Sequence, residues 1–309
     1  MVIQELNNLL SFLPEKASFN DLIKEALNRV QPELPLKDDD IRQWSLLPSI
    51  ICESVGGNFK QTLPACAAIQ LLIAAGEVFD DIEDSDSSDS ISARYGHAVA
   101  TNVATTLLFL SEKAIVQLKI KGVSDQIIIR ILDAVNSYYT KACAGQHLDL
   151  TLTPEMANSE DTYLKVAIMK SASTPECACH IGALLATENQ ELIDMFTLFG
   201  QNLGVASQIA NDILGITRGN DIVRRKISLP IIYILNQTDG DVRNQVKLLY
   251  SNPYKPLLDT EQFKDLLFNS GAIHYTTIKM NLFKQQALDI LTKAKGKGVN
   301  IEKLKPFLD

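Results

Sequence analysis

Apolar positions recur every three to four residues along most of this chain, with polar positions filling the gaps. Ile127, Ile128, Ile131, Leu132 and Val135 form one such stripe, and Leu192, Met195, Phe196, Phe199 and Leu203 form another. That period belongs to a helix with one buried face, and the every-second-residue alternation of a half-buried strand is scarce. Breakers interrupt the stripes at Gly56-Gly57, Ser85 to Ser92, Lys121-Gly122, Thr153-Pro154, Gly219-Asn220, Asn252-Pro253 and Gly296 to Gly298. They predict about ten helical segments joined by short connections, hence an all-α fold, a large bundle of antiparallel helices. No long Pro, Gly or Ser tract divides the 309 residues, so a single domain over 1–309 is expected.

Composition narrows the class of function. A hydrophobic fraction of 46% suits a well-buried core, and the net charge of −8 argues against a nucleic-acid surface. The longest apolar run, Leu63 to Val78, is interrupted by Pro64, Gln70 and Gly76 and ends in acid, so no membrane span is expected. Met1 to Leu13 lacks the basic start of a secretory signal, which predicts a cytosolic protein. Five scattered cysteines make no disulfide framework, and Cys177, Cys179 and His180 lack a second pair of metal ligands.

The chemistry concentrates where two apolar helices end in polar clusters. The first is Asp80-Asp81-Ile82-Glu83-Asp84, with no basic residue among them. In a helix Asp80 and Asp84 lie one above the other, with Asp81 beside them and Glu77 one turn earlier. Carboxylates about 4 Å apart repel by about 4 kcal/mol at an effective dielectric of 20. Acids at a helix C-terminus also oppose its dipole. Such a face wants a cation, and magnesium, with hard oxygen ligands and positions left for substrate phosphates, fits it. The implied ligand is a diphosphate. A solvated acidic surface is the plain alternative.

The second cluster exposes Gln208, Asn211 and Asp212 along one side of a helix, with Gly215 a turn beyond. Asp80, Asp84, Asn211 and Asp212 are the candidate metal ligands, and Asp80, Asp81, Asp84, Asp212 and Lys170 the candidate catalytic residues. Positive charge for a diphosphate must come from a few placed residues: Lys170, and Arg225 and Lys226 in the run Arg224-Arg225-Lys226, with Gln208 beside them. Gly145 to Leu150 adds a polar notch in which Gln146 and Asp149 could hold water or shield a carbocation; helix capping is its plain reading.

Together these segments resemble the trans-prenyl diphosphate synthases, class I isoprenoid enzymes. Asp80 to Asp84 is similar to that family's first aspartate-rich motif and Gln208 to Gly215 to its second. Gly145 to Leu150 resembles its GQxxDL element, and Lys226-Ile-Ser-Leu-Pro its KxTLP-like element. The resemblance runs from about Leu46 to about Leu291, in matching order and spacing. It implies a helical bundle of the isoprenoid synthase type around a deep apolar cavity, usually homodimeric, with about three magnesium ions holding an allylic prenyl diphosphate. It also implies isopentenyl diphosphate as a second substrate.

The chain departs from that pattern where the second substrate would bind. Only Arg42 stands where a basic GKRxRP element is expected. The paired arginines expected after the first motif are absent, the spacing from Asp84 to Arg94-Tyr95-Gly96 is several residues short, and the second motif carries Asn211 and Gly215 in place of aspartates. The pattern resembles the peptide-pheromone prenyltransferases, which pass the prenyl group to a peptide, so a peptide or small-molecule acceptor is a further expectation. A synthase-like terpene cyclase acting on one substrate and a non-catalytic subunit of a heteromeric synthase are the alternatives. Gly76 and Ala75, four and five residues before Asp80, are small, which predicts an open cavity floor.

Overall fold

Fifteen α-helices and four short 3-10 turns make up the computed structural model, with no strand among the described residues. Those are residues 1–13, 17–30, 44–84, 87–153, 159–237, 240–251 and 260–308. Arg42, Asp86, Pro154, Asn252 and Pro253 lie outside them.

The helices are α1 (Val2–Leu10), α2 (Ala17–Arg29), α3 (Leu47–Ser54), α4 (Leu63–Asp84), α5 (Ile91–Tyr95), α6 (His97–Val116), α7 (Asp125–Leu150) and α8 (Glu160–Lys170). After them come α9 (Ser173–Ala186), α10 (Gln190–Arg218), α11 (Asn220–Val223), α12 (Leu229–Gln237), α13 (Asp241–Ser251), α14 (Thr260–Asn269) and α15 (Ala272–Gly296). Side-chain oxygens mark several starts: Ser90, Ser124, Ser159 and Asn189 accept from amides two or three residues on, closing orphan donors at the heads of α5, α7, α8 and α10. Gly219 ends α10 in the left-handed conformation, φ +86°.

Nearly every predicted breaker in the described residues falls at a helix end, yet there are five more helices than the periodicity suggested. The instructive case is the break between α8 and α9. Ser171 and Ala172 both keep right-handed helical angles, and the Ala172 N–H reaches back five residues to the Ala167 carbonyl at 3.0 Å. The chain turns without leaving helical space, so neither glycine nor proline is needed there.

Three apolar clusters hold the bundle. The largest joins α1 to α7, α9, the first half of α10 and the end of α15. A second gathers the end of α10 with α11 to α14 and the start of α15. A third packs Tyr163 and Ala167 of α8 on Val205 and Ile209 of α10 and Leu229 and Ile232 of α12. Because α10, at 29 residues, runs through all three, it is the scaffold on which the polar clusters are placed.

Two segments, Phe59–Asp84 and His97–Lys119, are long and apolar enough to cross a membrane. The first has 78% of its apolar window buried inside the protein, so α4 is a core helix. The second has only 44% buried; Val99, Phe109 and Val116 face outward from α6, with Phe109 66% exposed.

Backbone contact between α7 and α8 sets the geometry of the site. A Cβ at Gly145 would lie 2.6 Å from the Met169 carbonyl carbon and closer still to the Lys170 nitrogen. Such an approach is open only to glycine. Gly145→Ala gains about 1 kcal/mol of helix propensity, but overpacking against rigid backbone costs about 1–3 kcal/mol. Denaturant unfolding should therefore show a net loss of about 1–2 kcal/mol; unchanged or raised stability would mean that the two helices can part freely.

Candidate active site

The apolar stripe of α4 stops at Val78, and the helix's last turn and a half projects acids toward α7 and α8. Asp80 meets both. Its Oδ1 accepts from Gln146 Nε2 at 3.2 Å and lies 3.5 Å from Lys170 Nζ. Gln146 also donates to Glu83 at 2.7 Å. Lys170 donates to Asp149 Oδ2 at 2.7 Å, so one ammonium stands between a carboxylate from α4 and one from α7. This follows from the Gly145 contact, since Gln146 and Asp149 sit on the turn of α7 that touches the end of α8. Burial alone would lower the Lys170 pKa, but Asp149 and then Asp80 outweigh it and hold the ammonium above the ordinary lysine value. Asp84, exposed at the end of α4, adds to that field.

Asp81 turns elsewhere. Its Oδ2 pairs with Arg29 of α2 at 3.2 Å, and its carbonyl accepts from Ser92. The middle aspartate therefore ties α4 to α2 and the start of α5, whereas Asp80 and Asp84 share the face toward Lys170.

On α10 the predicted residues divide sharply. Asp212 is fully buried. Its Oδ2 accepts from the Tyr163 hydroxyl at 2.7 Å and the Leu229 N–H at 3.2 Å; its Oδ1 accepts from Gln208 at 2.8 Å and faces Lys226 Nζ at 3.8 Å. Burial raises its pKa, and Lys226, Tyr163, Leu229 and Gln208 pull it back. With both oxygens engaged, Asp212 anchors Tyr163 and Lys226. Gln208 is likewise engaged, accepting from Ser171 at 2.5 Å. Asn211 is exposed. No group of three His, Cys, Asp or Glu side chains among the described residues converges tightly enough to hold a metal by itself.

Arg225 and Lys226 follow α11 in a tight reversal. Arg225 is the only non-glycine residue with positive φ among those described, at +56°, and Lys226 N–H closes the turn on the Asp221 carbonyl at 2.9 Å. A left-handed conformation costs a non-glycine residue about 1–2 kcal/mol. Here it turns Lys226 back onto Asp212.

At the expected cavity floor the two small residues differ. Ala75 is fully buried in the main core. Gly76 is exposed, and a Cβ there would meet nothing within 4 Å. Arg94, the first residue after the short spacing from Asp84, is held by Glu25, by the Asp89 carbonyl at 3.2 Å and by the Tyr95 ring at 5.1 Å.

A model of the Polyprenyl synthetase family matches residues 40–266. This chain belongs to the polyprenyl synthetase family. It is a prenyltransferase, and the all-helical architecture is that of the family. Among curated relatives, the Tryptophan prenyltransferase ComQ of Bacillus subtilis subsp. natto is 31% identical over 253 residues, covering 78% of this chain and 75% of its own length. The Geranylgeranyl diphosphate synthase of Mycobacterium tuberculosis is 27% identical over 212 residues, 64% of this chain and 59% of its own. Among solved structures, the geranylgeranyl pyrophosphate synthetase from the archaeon Geoglobus acetivorans superposes with a TM-score of 0.81 at 18% identity, over 99% of this chain and 94% of that one. A polyprenyl synthase from Caulobacter crescentus, complexed with calcium and isoprenyl diphosphate, superposes at 0.79 with 17% identity, over 99% and 92%.

Sequence reasoning passed over two side chains that contact the predicted acids. Tyr163 lies seven residues before Lys170, on the same helical face, and that spacing was a usable signal. Arg29 reaches Asp81 across 52 residues, which leaves no local pattern.

Because its folded pKa is raised, Lys170 contributes stability that is complete below the ordinary lysine value, about 10.4, and is lost as pH rises through the folded value. The melting-temperature gap between wild type and Lys170→Gln should stay constant from pH 7 to 9 and narrow above about pH 10. A gap that closes near neutral pH would contradict the pairing with Asp149 and Asp80.

Proposed function

We propose that this prenyltransferase ionises an allylic prenyl diphosphate with magnesium and passes the prenyl group to a nucleophilic aromatic side chain of a peptide. The observation that carries the first half is the Lys170 ammonium between Asp80 and Asp149. The second half is supported by the relatedness to tryptophan prenyltransferases over three quarters of both chains.

The donor set fits magnesium: Asp80 and Asp84 offer hard oxygens on one helical face, too few to saturate the ion, which leaves positions for substrate oxygens. Magnesium, when bound, neutralises charge on the diphosphate and stabilises its departure. Lys170 and Lys226 line one cavity between α7, α8 and α10 and supply the positive charge that the leaving oxygens need as the C–O bond breaks. Asp212 fixes Lys226, and Tyr163, whose hydroxyl is held protonated by burial and by Asp212, fixes Asp212. Gln146 orients Asp80. The bonding pair of the C–O bond leaves with the diphosphate, the acceptor's π electrons form the new C–C bond to the allylic carbon, and the acceptor then loses a proton.

A second copy of the chain is the occupant we assign to the outward face of α6. Val99, Phe109, Val116 and the neighbouring Ile120 expose an apolar strip on a helix that buries less than half of its apolar window. Phe109→Glu should shift the protein toward monomer in sedimentation; an unaltered oligomeric state, or a wild-type monomer, would remove this assignment.

The acceptor is tested by incubating the protein and magnesium with farnesyl or geranylgeranyl diphosphate in the presence of a tryptophan-containing peptide, of isopentenyl diphosphate, or of neither. Prenylated peptide in the first mixture is the expected product. Longer diphosphates appearing only in the second would establish chain elongation instead, and hydrocarbons or alcohols in the third would establish single-substrate chemistry.

A further inference from the structure

The cavity that Lys170 and Lys226 share is nearly closed. Its volume is about 20 Å³, room for about one water, and a diphosphate is several times larger. One wall must therefore move before both ammoniums can meet the leaving oxygens. The walls are unequal: α10 runs through all three apolar clusters and α7 is seated in the largest, whereas the 11 residues of α8 belong only to the third. The C-terminal end of α8 is fixed by the backbone contact at Gly145. The end able to swing is the one that begins at Glu160.

Glu160 ties that end to α15. Its Oε2 accepts from the Tyr275 hydroxyl, and its Oε1 pairs with Lys279 Nζ at 2.6 Å. Tyr275 and Lys279 are four residues apart and so share one face of α15. The Tyr275 ring lies against the Tyr233 ring of α12, with centroids 4.6 Å apart, which sets the hydroxyl in place. An acid in the first turn of a helix ordinarily serves the helix dipole. The neighbouring Asp161, exposed, is placed for that role, and Glu160 is turned to α15 instead. Burial and then Glu160 raise the Tyr275 pKa, and the Glu160 hydrogen bond raises that of Lys279, so both donors keep their protons at neutral pH. Hydrogen bonds to a charged group are about twice as strong as neutral ones.

We infer that Glu160, Tyr275 and Lys279 form an autoinhibitory latch: they hold α8 against the cavity, and magnesium-bound diphosphate enters only when the latch opens. The closed cavity has no room for the ligand, so the latch stabilises the empty state alone. The apparent affinity is then that of the open form scaled by the fraction of molecules that is open. The inference rests on the diphosphate-binding reading above, in which Lys170 and Lys226 meet the leaving group.

The test joins calorimetric binding of inorganic diphosphate with magnesium to hydrogen exchange of the α8 amides without ligand, both on the full chain. Two latch-breaking variants shift charge in opposite senses: Glu160→Gln removes a negative charge, and Tyr275→Phe with Lys279→Met removes a positive one. Both should bind diphosphate more tightly, by about tenfold. Both should also exchange the α8 amides faster by a similar factor, with α7 and α10 unaltered. Tightening in Glu160→Gln with weakening in the double variant would reduce the effect to electrostatics and overturn the latch. Wild-type affinity in both variants, or unaltered α8 exchange, would overturn it too, and the diphosphate reading would stand. If neither the wild type nor the variants bind diphosphate, that reading falls and takes the latch's role with it.

Discussion

The site depends on one close approach, the backbone contact of α7 and α8 at Gly145. Without a side chain between them, the last turns of the two helices come near enough for Lys170 to reach Asp149 at 2.7 Å. The same contact aims Gln146 at Asp80 and Glu83 on α4. A bundle whose long helices diverged at this height would leave the acidic end of α4 facing water, and the repulsion among its carboxylates would be relieved by solvent instead of by a substrate. The contact turns an unfavourable acidic helix end into a place where a cation is already provided and further ones are accommodated.

From that point polar groups link the two acidic helices through α8. Lys170 faces α4 and α7 at one end of α8, and Tyr163 faces Asp212 of α10 at the other. Asp212, fully buried, is the internal anchor: four groups converge on its two oxygens, so its charge is spread over partners from α8, α10 and the turn before α12. Breaking such a buried pair is more costly than forming it is favourable, and the benefit is fixed geometry. The strained Arg225 serves the same end, since its left-handed turn is what brings Lys226 onto Asp212.

The helical fold was legible because its evidence is local. Stripes such as Ile127 to Val135 and breakers such as Gly219-Asn220 report on residues within one or two turns. The break at Ser171–Ala172 was invisible because the chain stays in helical angles there. Within the site, Asp80, Asp84, Gln146, Asp149 and Lys170 could be singled out, since each sits in a polar notch of an otherwise apolar helix. What could not be read was direction. Asp81 and Asp212 look as available in the sequence as Asp80, yet one is drawn off by Arg29 from α2 and the other is enclosed. Ala75 and Gly76 are equally small, yet one is core and the other opens on free space. Such distinctions depend on which neighbour lies across the gap, information carried by residues tens of positions away.

The central claim is that the Asp80 face of α4, with Lys170, promotes departure of diphosphate from an allylic carbon. Single-turnover release of diphosphate from geranylgeranyl diphosphate tests it most directly, comparing wild type with Asp80→Asn in the presence of magnesium and an accepted acceptor. The account predicts a loss of at least about a hundredfold, on the order of 3 kcal/mol of transition-state stabilisation, with an unaltered thermal melt. Equal release rates from the two proteins would contradict it.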